Sequence, residues 1–254
     1  MTQRLIPDVV DVPDLPTPVT VVGDVHLTPE EPEVARRFAA FLDERKAQGG
    51  TLVLLGDIFD WWVGREQAAR QTFAREALEP LKAVAAAGVR LVFLAGNRDY
   101  AFDGSEGFDI ELWPDVVRTR LGERTVVLSH GDLLCSEDRG YLRMRRFFRS
   151  KFGRWLLRTV PYSWAAYLAE GLRDLSDRST RRSRGAQLGI DYGLAAAWLD
   201  AYDADALVVG HVHTGVHHEV AGPNGPRDVY VLRDWSRASN AVELDGKSIH
   251  LVAV

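Results

Sequence analysis

The most regular feature of the chain is a series of apolar, β-branched runs, each of which stops at a short polar motif. These runs cover residues 19–22, 51–55, 89–94, 125–128 and 206–209. Continuous apolar runs of this length are typical of strands that are buried on both faces of a sheet. The pattern therefore predicts a sheet whose strands end in polar loops.

Helical periodicity occupies the segments between the first strands. In residues 32–48 the apolar positions recur on one helix face, and the pattern ends at a pair of glycines; the positions are Val34, Phe38, Phe41 and Leu42. Residues 72–87 show the same periodicity and stop at Gly88. Alternating strands and helices predict an α/β fold in which the loops after the strands collect at one edge of the sheet.

The C-terminal part has a different pattern. Residues 229–232, 241–244 and 248–254 form apolar runs, and Asp245-Gly246 between the last two is a hairpin signal. We expect these runs to form a second, more antiparallel sheet that packs on the first. Residues 1–18 are acidic and contain several prolines, so they are expected to form a loose N-terminal leader before one domain over residues 19–254.

One interval between the polar motifs is much longer than the others. It spans 81 residues from His130 to His211, whereas a strand-helix-strand crossover needs about 30. Residues 139–188 are therefore predicted to be a helical cap insertion. Residues 139–187 carry 13 Lys and Arg against 3 Asp and Glu, in a chain of net charge −5. This basic, aromatic segment fits a helix lying on an anionic membrane surface, or an ordinary cap with buried aromatic residues. It contains no recognised nucleic-acid-reading motif, so no nucleic-acid partner is expected.

Composition places few further limits on the protein. The chain has 254 residues and one cysteine, Cys135, which excludes an internal disulfide and fits a reducing cytoplasm. We expect Cys135 to be a buried packing thiol rather than a nucleophile. No apolar stretch approaches the roughly 20 residues that cross a bilayer. The expected location is cytoplasmic, with peripheral contact to the inner membrane if the cap binds lipid, and the oligomeric state stays open.

The polar motifs share one chemical character, since each places oxygen or nitrogen metal ligands beside a glycine. They supply two carboxylates, one amide and four imidazoles: Asp24, His26, Asp57, Asn97, His130, His211 and His213. A set of this size without thiolates suits two divalent ions, and it favours Mn²⁺, Fe²⁺ or Zn²⁺ over a structural tetrahedral zinc. Paired ions stabilise the displacement at phosphorus, so the set predicts hydrolysis of a phosphate ester or anhydride.

The five motifs, in this order, resemble the calcineurin-like metallophosphoesterase superfamily over nearly the whole chain. The resemblance implies a four-layer α/β/β/α sandwich with a dinuclear site, which we expect to hold Mn²⁺, with Fe²⁺ or Zn²⁺ as alternatives. The residues implied for one ion are Asp24, His26, Asp57 and His213. Those implied for the other are Asp57, Asn97, His130 and His211, so that Asp57 bridges the two ions. Three further aspartates are candidates to orient the ligand imidazoles: Asp60, Asp99 and Asp132.

The third motif departs from most members of the superfamily, which have histidine where this chain has Arg98. A histidine can protonate an alkoxide leaving group, whereas arginine stays charged at neutral pH and binds phosphate through paired hydrogen bonds. An acid matters little when the leaving group is itself a phosphate, whose second pKa is about 6. Arg98 therefore favours cleavage of a phosphoanhydride; the alternative is that it only pairs with Asp99.

Within the superfamily, residues 56–64, 96–99 and 130–138 are most similar to the UDP-2,3-diacylglucosamine hydrolases of lipid A biosynthesis. The resemblance implies cleavage of a nucleotide diphospho-lipid into UMP and 2,3-diacylglucosamine 1-phosphate, with the acyl chains bound by the helical insertion. It implies catalytic roles for Asp57, Asn97 and Arg98, and substrate contacts for Asn97, Arg98, Asp138 and Arg184. Two alternatives remain: a phosphodiesterase or nucleotide pyrophosphatase without lipid specificity, and a non-catalytic scaffold of the same fold.

Overall fold

Twelve strands are present in the part of the chain that the computed structural model describes. That part comprises residues 6–64, 66–136, 139–150, 152–153, 155, 159–160, 162–164, 189–223, 225–236, 238–245 and 247–254. The strands are β1 (Val10–Asp11), β2 (Val19–Val22), β3 (Thr51–Leu54), β4 (Arg90–Leu94), β5 (Glu111–Trp113), β6 (Val116–Leu121), β7 (Arg124–Ser129), β8 (Ala206–Val209), β9 (Val216–Gly222), β10 (Gly225–Val231), β11 (Asn240–Leu244) and β12 (Ile249–Ala253).

These strands form two six-stranded sheets. The first sheet has the order β12-β11-β2-β3-β4-β5, and the second has the order β1-β6-β7-β8-β10-β9. Strands β2, β3, β4 and β5 are parallel neighbours in the first sheet, and β7, β8 and β10 are parallel neighbours in the second. The carboxyl ends of the parallel strands in each sheet therefore meet at one edge, as predicted.

The two sheets pack face to face through a fully buried apolar layer. Val21, Val53 and Val92 of the first sheet belong to the same cluster as Leu128 and Val208 of the second. The alternate residues of the first sheet point to its other face, because successive side chains of a strand leave opposite sides of the sheet. There they meet a separate apolar cluster, which includes Val22, Leu54 and Phe93.

Helices cover both outer faces of the stacked sheets. The described helices are α1 (Pro32–Gln48), α2 (Gln67–Arg70), α3 (Thr72–Ala86), α4 (Arg139–Arg149) and α5 (Tyr192–Ala201). Helices α1 and α3 bury their apolar stripes against the first sheet, and α5 buries Leu194 and Trp198 against the second. The four-layer α/β/β/α sandwich is thus confirmed. None of the described helices combines the length and the apolarity needed to cross a bilayer.

Residues 6–18 differ from the loose leader that their composition predicted. Strand β1 pairs with β6 at the edge of the second sheet, where Arg118 binds both oxygens of Asp11 at 2.6 and 3.1 Å. The Tyr202 hydroxyl donates to the Pro7 carbonyl at 2.6 Å, and Leu15 is buried between the sheets. The prolines did not prevent this packing, because their carbonyls accept hydrogen bonds and an edge strand needs few N–H donors.

The C-terminal strands also differ from the predicted arrangement. Strands β11 and β12 pair antiparallel as expected, but β11 then joins β2 and extends the first sheet. Only β10 enters the second sheet, beside β8 and β9. The open edge of β2 offers unpaired backbone groups, which the hairpin satisfies. The predicted cap contains α4, and residues 165–188 of it lie outside the described part of the chain.

Candidate metal centre

The candidate ligands occupy the loops that follow β2, β3, β4, β7 and β8, and five of them have an unusual backbone. The φ angles are positive at Asp24 (53°), His26 (54°), Asp57 (53°), His211 (68°) and His213 (59°). Among the described residues other than glycine, only Asp203 also has a positive φ. This conformation costs energy for L-residues and is concentrated at functional sites, where the surrounding structure enforces it. It turns these side chains inward toward one point.

Asp24, His26 and His213 form the first group. Their potential ligand atoms all lie within 4.8 Å of one another. His213 Nε2 is 3.3 Å from Asp24 Oδ1 and 3.3 Å from His26 Nε2. Asp24 is completely buried, and both of its oxygens accept the backbone N–H of His211 at 3.1 and 3.0 Å. A Cβ at Gly210 would stand 2.2 Å from Asp24 Oδ2, so this carboxylate lies directly against the glycine.

Asp57, His130 and again Asp24 form the second group, with ligand atoms inside the same 4.8 Å limit. His130 Nε2 is 3.5 Å from Asp57 Oδ2. Asn97 joins them, because its Oδ1 is 3.1 Å from His130 Nε2 and 3.0 Å from His211 Nδ1. The structure therefore brings all seven candidate ligands together. Asp24 is shared by the two groups, and the bridging role that the resemblance implies for Asp57 stays a prediction.

The buried carboxylates control the protonation of the imidazoles around them. Burial acts to raise the pKa of Asp24, but the hydrogen bond and charge of His213, with His130 and His26, lower it to about 2. Burial likewise opposes the protonated form of His213, yet Asp234 and Asp24 raise its pKa to about 10. The pKa of Asp57 is raised, chiefly by burial. In the metal-free protein these shifts keep Asp24 ionised and His213 protonated at neutral pH.

Two other imidazoles are held in the neutral form that binds metals. Burial, with the nearby charge of His213, lowers the pKa of His26 to about 4. Burial, with the charge of His130, lowers the pKa of His211 to about 4. Neutral imidazoles and buried carboxylates within a few ångströms are a donor set that fits divalent cations, because such cations bind deprotonated nitrogen and oxygen atoms. The residues present thus fit the two ions that the motifs predicted.

The three aspartates that were expected to orient imidazoles have different partners. Asp60 Oδ1 lies 3.9 Å from His26 Nδ1, and its role in orienting this ring stays a prediction. Asp99 is fully buried and accepts the backbone N–H groups of Ile58 and Gly96 at 2.7 and 2.8 Å. Burial and the charge of Asp57 raise the pKa of Asp99 to about 7. Asp99 therefore ties two ligand loops together through their backbones instead of holding a ring.

Asp132 also departs from its expected role. Its Oδ2 accepts Arg145 Nε at 2.6 Å and the Tyr141 hydroxyl, both from α4. Burial acts to raise the pKa of Asp132, but the positive charge of Arg145 dominates together with the nearby histidines and lowers it. The ring of Tyr141 stacks on His211 with centroids 5.9 Å apart. Asp132 thus anchors the first cap helix beside the candidate ligands.

Two groups that orient imidazoles were not predicted. Asp234 Oδ2 lies 3.3 Å from His213 Nδ1, on the ring atom opposite the one that faces Asp24. The carbonyl of Leu55 lies 3.0 Å from His130 Nδ1 and accepts its N–H, which directs Nε2 to the centre. Asp234 follows β10 in the same way as the motif residues follow their strands, and this position was the available sequence signal.

Arg98 lies at the rim of the centre. Its backbone N–H donates to Asp57 Oδ1 at 2.8 Å, and its guanidinium lies 3.7 Å from Asp60 Oδ1 and 5.2 Å from the centroid of the Trp61 ring. Asp99 is engaged with backbone N–H groups, as described above. Of the other predicted substrate contacts, Asp138 and Arg184 lie outside the described residues. Cys135 is buried, as expected of a packing thiol.

A cavity of about 310 Å³ adjoins this rim between the sandwich and the cap. Ala95, which directly precedes the 96–99 motif, lines it together with Arg149. The remaining wall is mixed. Its apolar and aromatic residues are Val63, Phe93, Tyr100, Ala101, Phe102, Leu112, Trp113, Pro114, Phe148, Val160 and Tyr162, and it also contains Gly64 and the acidic residues Glu66, Asp103 and Asp115. The arrangement places the candidate metal centre next to a largely aromatic cavity of the size of a small-molecule site.

Comparison with known proteins agrees with this geometry. The profile of the family described as Calcineurin-like phosphoesterase matches residues 17–215. A UDP-2,3-diacylglucosamine hydrolase of Azotobacter vinelandii is 34% identical over 233 residues, which cover 91% of this chain and 96% of that protein. One of Pseudomonas aeruginosa PAO1 is 33% identical, over 89% of this chain and 95% of that protein. A solved structure from Streptococcus pneumoniae, described as a predicted phosphoesterase, has a TM-score of 0.42 and 13% sequence identity. The match covers 93% of this chain and 87% of that protein, and the likeness is too low to support an argument.

Proposed function

The chain belongs to the calcineurin-like phosphoesterase family and is a metal-dependent hydrolase, and we propose that it cleaves the pyrophosphate of UDP-2,3-diacylglucosamine. The products are UMP and 2,3-diacylglucosamine 1-phosphate. The observation that carries the proposal is the cavity rich in aromatic side chains that reaches Ala95, directly before the 96–99 motif of the candidate metal centre. A lipid-linked pyrophosphate needs both features side by side.

The candidate ligands are proposed to hold two Mn²⁺ ions. Asp24, His26, Asp57 and His213 would hold one ion, and Asp57, Asn97, His130 and His211 would hold the other. When bound, such ions acidify a water and stabilise the charge on the phosphoryl oxygens. The protein then contributes fixed geometry, since Asp24 accepts the backbone N–H of His211 and Asp57 accepts that of Arg98. A fixed site avoids reorganisation during the reaction.

Arg98 is proposed to bind the phosphate next to the centre. Its guanidinium stays charged at neutral pH and is aligned by Asp60 and the face of Trp61. It cannot donate a proton to a leaving alkoxide, so it suits a leaving group that departs as a phosphate. Asn97, on the adjacent position, is proposed to combine metal binding with a contact to the same phosphate. Asp138 is proposed to contact the glucosamine and Arg184 a phosphate.

The cavity beside Ala95 is proposed to bind acyl chains. Its aromatic and aliphatic walls would bury apolar surface that is otherwise exposed to water. The cap also exposes four large aromatic side chains, those of Phe147, Phe152, Trp155 and Trp164. The rings of Phe147 and Phe152 lie 6.1 Å apart, and those of Phe152 and Trp155 lie 5.8 Å apart. We propose that this surface contacts the cytoplasmic face of the inner membrane, where a lipid substrate resides.

The test is hydrolysis of UDP-2,3-diacylglucosamine in mixed micelles with Mn²⁺, followed by the appearance of UMP. The control substrate is a soluble dinucleotide pyrophosphate, which contains the same bond without acyl chains. We expect the acylated substrate to have a much higher kcat/KM. Equal values would instead favour the nucleotide pyrophosphatase alternative. The Asp57→Ala variant is expected to lose turnover and bound metal together, and full activity of that variant would exclude the centre.

A further inference from the structure

One face of α4 packs against the candidate metal centre. Tyr141, Arg145 and Arg149 are spaced by four residues, so they lie above one another on the same side of the helix. Tyr141 and Arg145 contact Asp132, as described above. On the other side of α4, Arg146 and Phe147 are exposed. The cap helix therefore presents a polar strip inward and a mixed surface outward.

Arg149, on the same face of α4, contacts the loop that follows β4 in the first sheet. Its Nη2 donates to the carbonyls of Ala95 and Gly96 at 2.9 and 3.0 Å, and its Nη1 donates to Asp115. Asp115 also accepts Arg145 Nη2 at 2.8 Å. A planar guanidinium has the several donors in fixed directions that such a set of acceptors needs. Arg149 is only 18% exposed, which leaves little freedom for other arrangements.

The peptide groups that Arg149 holds are those that lead into Asn97. The Gly96 carbonyl belongs to the same peptide plane as the N–H of Asn97, so its direction sets where the Asn97 side chain begins. From the opposite side, Asp99 accepts the Gly96 N–H and Asp57 accepts the Arg98 N–H, each at 2.8 Å. A Cβ at Gly96 would stand 2.1 Å from Asp57 Oδ1. The loop is thus clamped between candidate ligand Asp57 and the cap arginine.

We propose that Arg149 is a positioning residue that fixes Asn97 and Arg98 for the phosphate, so that docking of the cap assembles the site as well as covering it. This inference rests on the proposed function, because it assumes that Asn97 and Arg98 act on the substrate. Arg149 itself acts through the 95–98 loop. A direct role in holding the acyl chains would instead change substrate binding.

The test compares Arg149→Met, which keeps the length of the side chain without its donors, with Arg149→Lys and the exposed-position control Arg146→Met. For the pyrophosphate substrate, Arg149→Met is expected to lower kcat by roughly tenfold to a hundredfold, because small misplacements of catalytic groups have effects of this size. KM should change little. Arg149→Lys should recover part of kcat, since a lysine replaces some of the donors, and Arg146→Met should match the unmodified protein.

Two further measurements distinguish a loss of loop positioning from a general loss of folded structure. In an Arg98→Ala background, Arg149→Met should lower kcat less than it does in the unmodified protein, because one of the two residues that Arg149 positions is gone. Hydrogen exchange should accelerate at the Gly96 and Arg98 amides in Arg149→Met and Arg149→Lys, and this readout does not depend on the substrate. Wild-type exchange in both variants, or a fully additive double variant, would overturn the inference. Absence of pyrophosphate hydrolysis by the unmodified protein would refute the proposed function. The hydrogen-exchange rates would then still show whether Arg149 fixes the 95–98 loop.

Discussion

Asp234 offers a direct test of how the centre is organised, because it touches one candidate ligand from behind. Its Oδ2 is 3.3 Å from His213 Nδ1, while His213 Nε2 faces Asp24 at 3.3 Å. The carboxylate therefore holds a proton on Nδ1 and fixes how the ring is turned, so that Nε2 is the nitrogen directed to the centre. We expect Asp234→Ala to bind Mn²⁺ more weakly than the unmodified protein and to remain folded.

The expected size of the effect follows from the geometry. Loss of a group that orients a ligand imidazole typically costs 10- to 100-fold in metal affinity, or about 1.4–2.7 kcal/mol. Asp234 is 33% exposed and its contact is not short, so solvent screens its charge in part. Asp234→Asn keeps an acceptor for the ring and should lie near the tenfold end of this range. Asp234→Ala removes the acceptor and should lie nearer the upper end.

The measurement is a calorimetric titration of the metal-free protein with Mn²⁺. A matched control exists, because His217 Nε2 contacts Asp228 Oδ1 at 2.7 Å in a second His–Asp pair, which lies on β9 and β10. Asp228→Asn should leave Mn²⁺ affinity unchanged. If Asp234→Ala binds the metal with unaltered affinity, or if Asp228→Asn weakens binding equally, the assignment of His213 as an oriented ligand is refuted.

Three further predictions concern other parts of the molecule. For Arg98→His we expect the ratio of kcat/KM for pyrophosphate cleavage to kcat/KM for an activated aryl phosphate to fall by about tenfold. An unchanged ratio would contradict the phosphate contact of Arg98. Gly210→Ala should reduce Mn²⁺ affinity, because its Cβ would stand 2.2 Å from a buried carboxylate oxygen, whereas Gly189→Ala, with no atom of the described residues within 4 Å of the new Cβ, should not. Leu15→Ala should lower the free energy of unfolding in urea by about 2–5 kcal/mol, since Leu15 is 5% exposed between the sheets. Val10→Ala, at a side chain 44% exposed, should stay within about 0.5 kcal/mol, and equal effects would mean that residues 6–18 are loosely attached.

Elements with strong periodicity were predictable nearly to the residue. The predicted strand at 19–22 and helix at 32–48 have the same bounds in the structure. Strands β6 and β9 escaped prediction because polar and charged residues interrupt them, as in the β6 sequence VVRTRL. Such strands form because a neighbouring strand is available to pair with, and a single sequence contains no record of that neighbour.

The candidate site shows the same division between local and distant information. The seven candidate ligands could be listed from the sequence because each stands in a recognisable motif after an apolar run, and the structure brings them close together. Their supporting partners could not be listed in this way, since the contacts of Arg145 with Asp132 and of Arg149 with the 95–96 carbonyls join segments that are far apart in sequence. Asp99 contacts backbone N–H groups and Asp132 contacts α4, although each is close to a predicted ligand in sequence. Closeness in sequence did not show which group each carboxylate would contact.

The centre depends on both sheets at once, and this explains why its support extends so far beyond the ligands. Asp24, Asp57 and Asn97 follow strands of the first sheet, whereas His130, His211 and His213 follow strands of the second. The apolar layer between the sheets sets the distance between these two sets, and Arg145 and Arg149 join the loops across the top. Strained φ angles at five of the ligands can persist only while both constraints act. The inter-sheet core and the cap helix are therefore parts of the site in the physical sense, because a shift in either moves one half of the ligand set against the other.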